Sequence, residues 1–312
     1  MSDRDASSPT IAVVIAATDS IEAVERTLAS LGSCRAIVAY DPSRVDGSRL
    51  TCEAIAGPPG ADAHRLRRTG SSLVRESVIA FTEDSCILSP GWLAAWTIAF
   101  ADPLLMAATG PVEHLGGGSA LDEAVFLCEY APFLSGRAQS NRLAGNNFAV
   151  RASALDLSST DIHESEVARS AGRVGFVAGA SVLHARRYRL GSAIHDRLRF
   201  GFRYGRLRAA SSSGIRRAIY LGLGPAILAS QIARLAWTLA RKRRGGSALA
   251  LGGVLTLALL AAWSVGEWLG WVVGDGRPDA RKPGETAVQM HEPQPARVSS
   301  ARPGCRGSRA SV

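Results

Sequence analysis

Disulfide and zinc chemistry have little to work with in this sequence. Its five cysteines (Cys34, Cys52, Cys86, Cys128 and Cys305) are odd in number and scattered, with no ligand spacing between them. They read as reduced thiols of a cytosolic domain, not as a disulfide framework or a metal site. Aromatic residues make up 6 % of the chain and form no RNA-binding signature, and no zinc-finger spacing occurs; the usual nucleic-acid modules are thereby excluded. Gly222 and Gly224 sit in an apolar segment without the lysine that a phosphate loop needs. The first ten residues, MSDRDASSPT, are polar and acidic, so no secretory signal peptide is expected.

Positive charge and apolar side chains are what the chain has in quantity. Its 312 residues suit one large domain or two smaller ones. A net charge of +9 and a pI near 9.9 call for an acidic partner: nucleic acid, an anionic membrane surface or a phosphorylated ligand. Apolar residues reach 46 % and mean hydropathy is +0.08, high for a purely soluble protein. Arginine clusters beside apolar segments near the C-terminus favour the membrane over nucleic acid.

The first 190 residues alternate between strand and helix patterns. IAVVIA, residues 11–16, is a continuous run typical of a central parallel strand. Thr18-Asp19-Ser20 offers a helix cap, and Ile21, Val24, Leu28 and Leu31 predict an amphipathic helix over Ile21–Leu31. A second strand, Ala36–Tyr40, ends at Asp41 and completes a βαβ unit. After a Gly-Pro-Pro-Gly loop and Arg65, Arg67 and Arg68, a helix is expected beyond Gly70. Val78-Ile79-Ala80-Phe81 then reads as a buried strand that stops at two adjacent carboxylates, Glu83 and Asp84.

Carboxylates at the end of a buried strand lie where open α/β sheets bind ligands. Such a pair commonly serves a divalent cation with a phosphate-bearing substrate; it can equally begin a solvated loop. The Ser89-Pro90-Gly91 turn leads to a helix over residues 92–101. Further strands are expected at 106–112, at 144–151 after a Gly-Asn-Asn turn, at 174–177 and at 180–184, the last ending on His184. A polar helix over 162–171 carries His163, Glu164 and Glu166, and the domain closes near Arg187.

Composition then changes. Residues 192–208 are strongly basic, with Phe200, Phe202 and Tyr204 interleaved, a mixture that nucleic acid or a bilayer interface can use. Residues 218–240 are long and apolar but hold Pro225, Gln231 and Arg234, and Arg241-Lys242-Arg243-Arg244 follows. Residues 248–266 are an uncharged apolar run of spanning length. Glu267 interrupts it, residues 268–273 continue it, and Trp263, Trp268 and Trp271 suit an interface. Arginines flank both segments, so the positive-inside rule does not orient them. The preferred topology lays the first segment at the cytoplasmic face and has the second span or re-enter; the alternative is a pair of buried soluble helices. From Asp275 the Pro-, Gly-, Ser- and Arg-rich composition reads as a disordered tail.

In their order and spacing these motifs resemble the family 2 glycosyltransferases, inverting nucleotide-sugar enzymes of the GT-A fold, in their membrane-associated bacterial form. The resemblance covers roughly residues 10–190. IAVVIAATDS and its helix look like the family's opening strand and nucleotide loop, with Ala16-Ala17 in place of the usual Pro-Thr. Asp41 matches the acidic residue on the uracil or ribose side. Arg67 and Gly70 match an arginine–glycine element, with Arg68 replacing its Asn. Phe81-Thr82-Glu83-Asp84-Ser85 falls on the metal-binding acidic triplet, with Ser85 in the place of its last carboxylate, and Pro90-Gly91-Trp92-Leu93 on the phrase after it. Gly110-Pro111-Val112 and residues 145–151 match two further phrases. His163-Glu164-Ser165-Glu166 occupies the acceptor-side acidic region, and Val182-Leu183-His184 matches a strand-end histidine that often completes the metal site.

The resemblance implies an α/β fold: a Rossmann-like, mostly parallel GT-A nucleotide-sugar domain followed by membrane-associated helices. The expected organisation is a disordered 1–9, a glycosyltransferase domain over 10–190, a basic interfacial segment over 191–217, membrane-associated helices over 218–274 and a disordered 275–312. It implies transfer of a sugar, with inversion, from a UDP-, GDP- or dTDP-sugar to a lipid-linked, polysaccharide or other membrane-proximal acceptor. That places the catalytic domain on the cytoplasmic side of the inner membrane, in cell-envelope polysaccharide synthesis. Thr18, Asp19, Asp41, Arg67, Glu83 and Asp84 would hold the donor, and Trp92, Asn146 and Asn147 the acceptor. Asp84 and His184 would hold Mg²⁺ or Mn²⁺, and Glu164, with Glu166 second, would be the base. Each has a plainer reading: His184 as a structural histidine, Glu164 as part of a solvated face, Asn146-Asn147 as a hairpin turn. Ser85, a weak ligand for a hard cation, favours a rival, a degenerate member that binds without turnover. A membrane-anchored nucleic-acid-binding protein is the second rival, although no nucleic acid is expected.

Overall fold

Seven residues, Ile11–Ala17 (β1), are buried along almost their whole length, as a central parallel strand must be. Ser20 accepts the backbone N–H of Ala23 and starts α1 (Ile21–Leu31). β2 (Ala36–Tyr40) and β3 (Glu53–Ala56) extend the sheet in parallel on one side of β1. Asp62 caps α2 (Ala63–Ser71). β4 (Val78–Glu83) pairs in parallel on the other side of β1, and β5 (Cys86–Leu88), α3 (Trp92–Ala99), β6 (Ala107–Thr109), β7 (Val112–His114) and α4 (Ala120–Tyr130) follow. β8 (Asn147–Arg151), α5 (Glu164–Ser170), β9 (Val174–Phe176) and β10 (Val182–His184) complete the α/β part. This computed structural model describes residues 9–135, 142–210, 212–241 and 245–274. The expectations for 1–8, 275–312, Cys305 and the basic residues 242–244 lie outside them; the four described cysteines are free thiols.

The main sheet has seven strands in the order β3-β2-β1-β4-β8-β6-β9, and a smaller one has the order β5-β10-β7. Within the large sheet β8 alone runs antiparallel to its neighbours. The chain leaves β1 toward β2 on one side and returns to β4 on the other. The carboxyl ends of β1 and β4 therefore flank the switch point where open α/β sheets bind ligands. Phe81 and Phe148 stack across β4 and β8 with centroids 4.7 Å apart, and Trp92, Trp96 and Phe100 are buried within the larger core cluster.

Several expectations change. The helix near Arg67 starts before Gly70 and runs through it instead of following it, because Asp62 supplies the cap. Residues 106–112 form two strands in two different sheets, divided at Gly110-Pro111. The polar helix shortens to Glu164–Ser170 because His163 caps it. β3, β5 and α4 were not expected; two are very short strands, and α4 owes its start to a Ser119–Asp122 capping box after a glycine loop.

The C-terminal helices are α6 (Leu190–Ala210), α7 (Gly214–Gly222), α8 (Gly224–Arg241) and α9 (Gly245–Val273). The expected single segment over 218–240 is thus broken near Leu223. Glu267 does not interrupt α9, which runs through it. Gly252–Val273 is long and apolar enough to cross a membrane by length and composition. It nevertheless packs closely on α6 and α4, within the same compact unit as the sheets. Gly201 and Gly205 of α6 meet Gly266 and Gly270 of α9, where an added Cβ would collide with the opposing backbone. The Glu267 carboxylate is buried at this contact, 2.7 Å from Arg208 and 3.2 Å from the Trp263 ring nitrogen. In the basic stripe of α6, Arg197 turns inward toward Glu129, while the exposed Arg203 pairs with Asp62 and Asp161. On the other side of α9, Val254, Leu257, Val265, Val272 and Val273 are exposed.

Candidate active site

Ala16 pairs with Glu83 in the β1–β4 register, so the loops after these strands leave side by side. Asp84, one residue past β4, uses its Oδ2 to accept the backbone N–H groups of Thr18 at 2.9 Å and Asp19 at 2.6 Å. This fastens the loop after β1 to the loop after β4. Burial pushes the Asp84 carboxyl up to about 7; the Asp19 N–H opposes this, and the Glu83 and Asp19 charges add to it.

Asp41 organises the neighbouring loop. Its Oδ1 accepts Ser43 N–H at 2.9 Å, Ser43 O–H at 2.7 Å and Gly60 N–H at 3.0 Å. Burial raises its pKa, but these bonds and Arg44 more than offset that and hold it below the usual carboxylate value. Arg44 lies 3.6 Å from Asp41 and donates to the Thr18 carbonyl at 2.9 Å. Thr18, Asp19, Asp41 and Asp84 thus meet around the ends of three adjacent parallel strands.

Arg67 is placed otherwise than expected. It is almost wholly buried and donates to Glu83 at 2.8 Å, to Glu164 at 3.3 Å and to the Gly145 carbonyl at 2.6 Å. It also lies 3.0 Å from His64 Nδ1 and over the Phe148 ring. With both terminal nitrogens engaged by protein acceptors and its Nε buried without a partner, it positions Glu83 and Glu164 and does not reach out to a diphosphate. Burial raises the Glu164 pKa, but Arg67, His64 and His163 outweigh it and keep the group below its usual value. Glu166 is exposed and pairs with Arg169 on the surface of α5, so it is not brought to the site.

Two acceptor residues named from the sequence are also corrected. Trp92 is buried and donates through Nε1 to Asn147 Oδ1 at 3.0 Å. Asn147 is buried too and donates to the Pro111 and Ala180 carbonyls. Asn147 links the two sheets, Trp92 ties α3 to it, and both are closed to an acceptor. Asn146 is fully buried, its Oδ1 has no hydrogen-bond partner, and its Nδ2 is 3.5 Å from His184.

The residues beside Asp84 do not fit a chelated Mg²⁺ or Mn²⁺. Asp84 already accepts two N–H groups on its Oδ2, which leaves its Oδ1 as a single carboxylate ligand, and Ser85, buried beside it, offers a neutral hydroxyl. His184 sits among Phe126, Tyr130 and Tyr188, with its Nε2 3.0 Å from the Tyr188 hydroxyl. Burial, with Arg186 and His114 nearby, pushes His184 down to about 3. Among the described residues, the group with metal-ligand proximity is instead His64, His163 and Glu164. Arg67 stands 3.0 Å from one of these ligands and 3.3 Å from another, so a guanidinium already holds the place of a cation there.

One polar residue at the switch point escaped the sequence reading. Arg186 lies two residues beyond β10, where Ala185 N–H donates to the Ser85 carbonyl at 2.8 Å. The signal was present in the sequence: an Arg186-Arg187 pair just after the strand that ends on His184.

No protein-family model and no curated protein matches the chain. Among solved structures, it is similar to a mannosyltransferase from Pyrobaculum calidifontis, in complex with GDP-Man and Mn²⁺. Identity is 15 %, TM-score 0.47, and 84 % of this chain and 87 % of that one are covered. It is also similar to GalNAc-T7 with UDP, GalNAc and Mn²⁺, at 14 % identity and TM-score 0.43, covering 58 % of this chain and 44 % of that one. A structure described as a mycobacterial protein matches at 13 % identity and TM-score 0.43, over 62 % of this chain and 73 % of that one. Likeness at this level carries no functional weight; the weight rests on the residues at the ends of β1, β2 and β4.

Proposed function

We propose that the chain is a glycosyltransferase that takes a nucleotide sugar at the carboxyl ends of β1, β2 and β4. The observation that carries this reading is the Asp84 carboxylate fastened to the Thr18 and Asp19 N–H groups at the switch point of a mostly parallel sheet. The Asp41 loop forms the nucleoside side of this crevice, and the diphosphate lies toward Asp84. The acceptor oxygen attacks the anomeric carbon on the face opposite the departing diphosphate, which inverts the configuration. Its proton passes to Glu164, a partly exposed carboxylate kept ionised by Arg67. The donor is a UDP-, GDP- or dTDP-sugar. The exposed apolar residues of α9 and the nearby arginines support a membrane surface and a lipid-linked or glycan acceptor at the cytoplasmic face of the inner membrane.

Ser85 supports a second reading, a protein that binds the donor without turning it over. A transfer assay with a panel of UDP-, GDP- and dTDP-sugars separates the two. Turnover of one donor that Asp84→Ala abolishes and Glu164→Gln lowers by about a hundredfold upholds the transferase. Donor binding without turnover favours the second reading.

A further inference from the structure

The donor set around Asp84 lacks what would hold a metal, yet a departing diphosphate still needs positive charge beside it. The β5–β10 register supplies a source. Val182 pairs with Leu88, Leu183 with Ile87 and His184 with Cys86. Ala185 N–H then reaches the Ser85 carbonyl at 2.8 Å. Arg186 is the residue after Ala185, and Asp84 the residue before Ser85, so the two flank this bond. The Arg186 guanidinium lies within electrostatic reach of Asp19, Glu83 and Asp84. Its recorded contact is the face of Tyr188, with the guanidinium carbon 5.6 Å from the ring centroid. Among the described residues it has no hydrogen-bond or ion-pair partner. Arg187 differs: it is exposed and paired with Asp122 at 3.1 Å, and it donates to the Gly117 carbonyl.

A half-buried guanidinium with free donors, held beside the loop that follows β4 at the sheet's switch point, is built to receive an oxyanion. Building on the nucleotide-sugar reading, we propose that Arg186 is the fixed cation that binds the donor's diphosphate, and that this chain binds nucleoside diphosphates without a divalent metal ion. In the transfer step the bond between the anomeric carbon and the diphosphate oxygen breaks. The electron pair stays on the diphosphate, and Arg186 meets the charge that develops there while the acceptor's proton goes to Glu164.

The test is calorimetric titration of the full chain with UDP, GDP and dTDP, and with uridine, guanosine and thymidine, in EDTA and in Mn²⁺. The expected result is that one nucleoside diphosphate binds in EDTA with an affinity that Mn²⁺ changes less than about threefold. Arg186→Gln then weakens that diphosphate by about thirtyfold and leaves its nucleoside unchanged. Arg186→Lys loses less, and Arg187→Gln binds as the wild type. Binding that appears only with Mn²⁺, or an Arg186→Gln protein that binds as well as the wild type, overturns the proposal while leaving the nucleotide-sugar reading intact. No nucleoside diphosphate bound in either buffer overturns both. The EDTA comparison needs no variant, so it decides even if Arg186→Gln fails to fold.

Discussion

Two ion pairs bury charge in opposite senses. In the α/β part the cation is inside: the Arg67 side chain is 2 % exposed, while Glu83 and Glu164 keep 14 % and 24 %. In the helical part the anion is inside: Glu267 is 4 % exposed and Arg208 33 %. Losing the cation strands two carboxylates beside Asp84 in the first case. In the second it strands one carboxylate, which can take up a proton. Arg67 therefore defines the geometry of a polar site, and Glu267 defines where one helix stops sliding along another.

The sharpest break in that comparison is Arg67→Met, expected to cost about 3–5 kcal/mol because two part-buried carboxylates and the Gly145 carbonyl lose their partner. The urea midpoint measures it, and a loss below that of Glu267→Gln contradicts the contrast. Next is Gly205→Ala in α6. Its new Cβ meets the Glu267 backbone, and about 1–3 kcal/mol of stability should go. An unchanged midpoint shows that α6 and α9 do not touch there. Glu267→Gln comes third, at roughly 1 kcal/mol, since the amide keeps its shape and Arg208 can turn to solvent.

The last comparison is of a slope with pH instead of a single loss. Burial holds His64 near 4 and His184 near 3, below the 6.5 of the unfolded chain. Unfolding therefore takes up protons below pH 6.5, and stability present above that pH is lost as pH falls toward 4. Asp84, raised to about 7, works the other way, losing stability as it ionises between pH 4 and 7. His184→Phe should flatten the acid-side loss between pH 6.5 and 4. Parallel midpoint curves for the two proteins would falsify the assignment of that slope to His184.

The α/β part was legible where side-chain period and burial coincide. Residues 11–16, 21–31, 36–40 and 78–81 carried their structure in their spacing. The position of Asp41 and Asp84 at strand ends was legible too, because that is where an apolar strand run gives way to polar groups. Trp92 and Asn147 were misread because a motif reports position along the chain, not whether the ring nitrogen finds its acceptor inside the protein. Arg67 was misread for a similar reason: its acceptors come from residues 83, 145 and 164, a set that spacing does not reveal. The internal packing of the helices was not legible, because an apolar run looks alike facing lipid or facing another helix. The Gly201/Gly205 and Gly266/Gly270 pairs distinguish a packed face, but each pair has meaning only beside the other.

The packing of α9 also sets the order of assembly. Its main partners, α6 and α4, are made well before it. During synthesis at roughly 5–20 residues per second, the sheets can form while α4 and the glycine face of α6 wait uncovered for residues 245–273 to clear the ribosome. For those seconds the nascent chain presents bare apolar surface, and a chain stopped before residue 245 presents it permanently. Such a fragment should be a client of chaperones, not a smaller working protein.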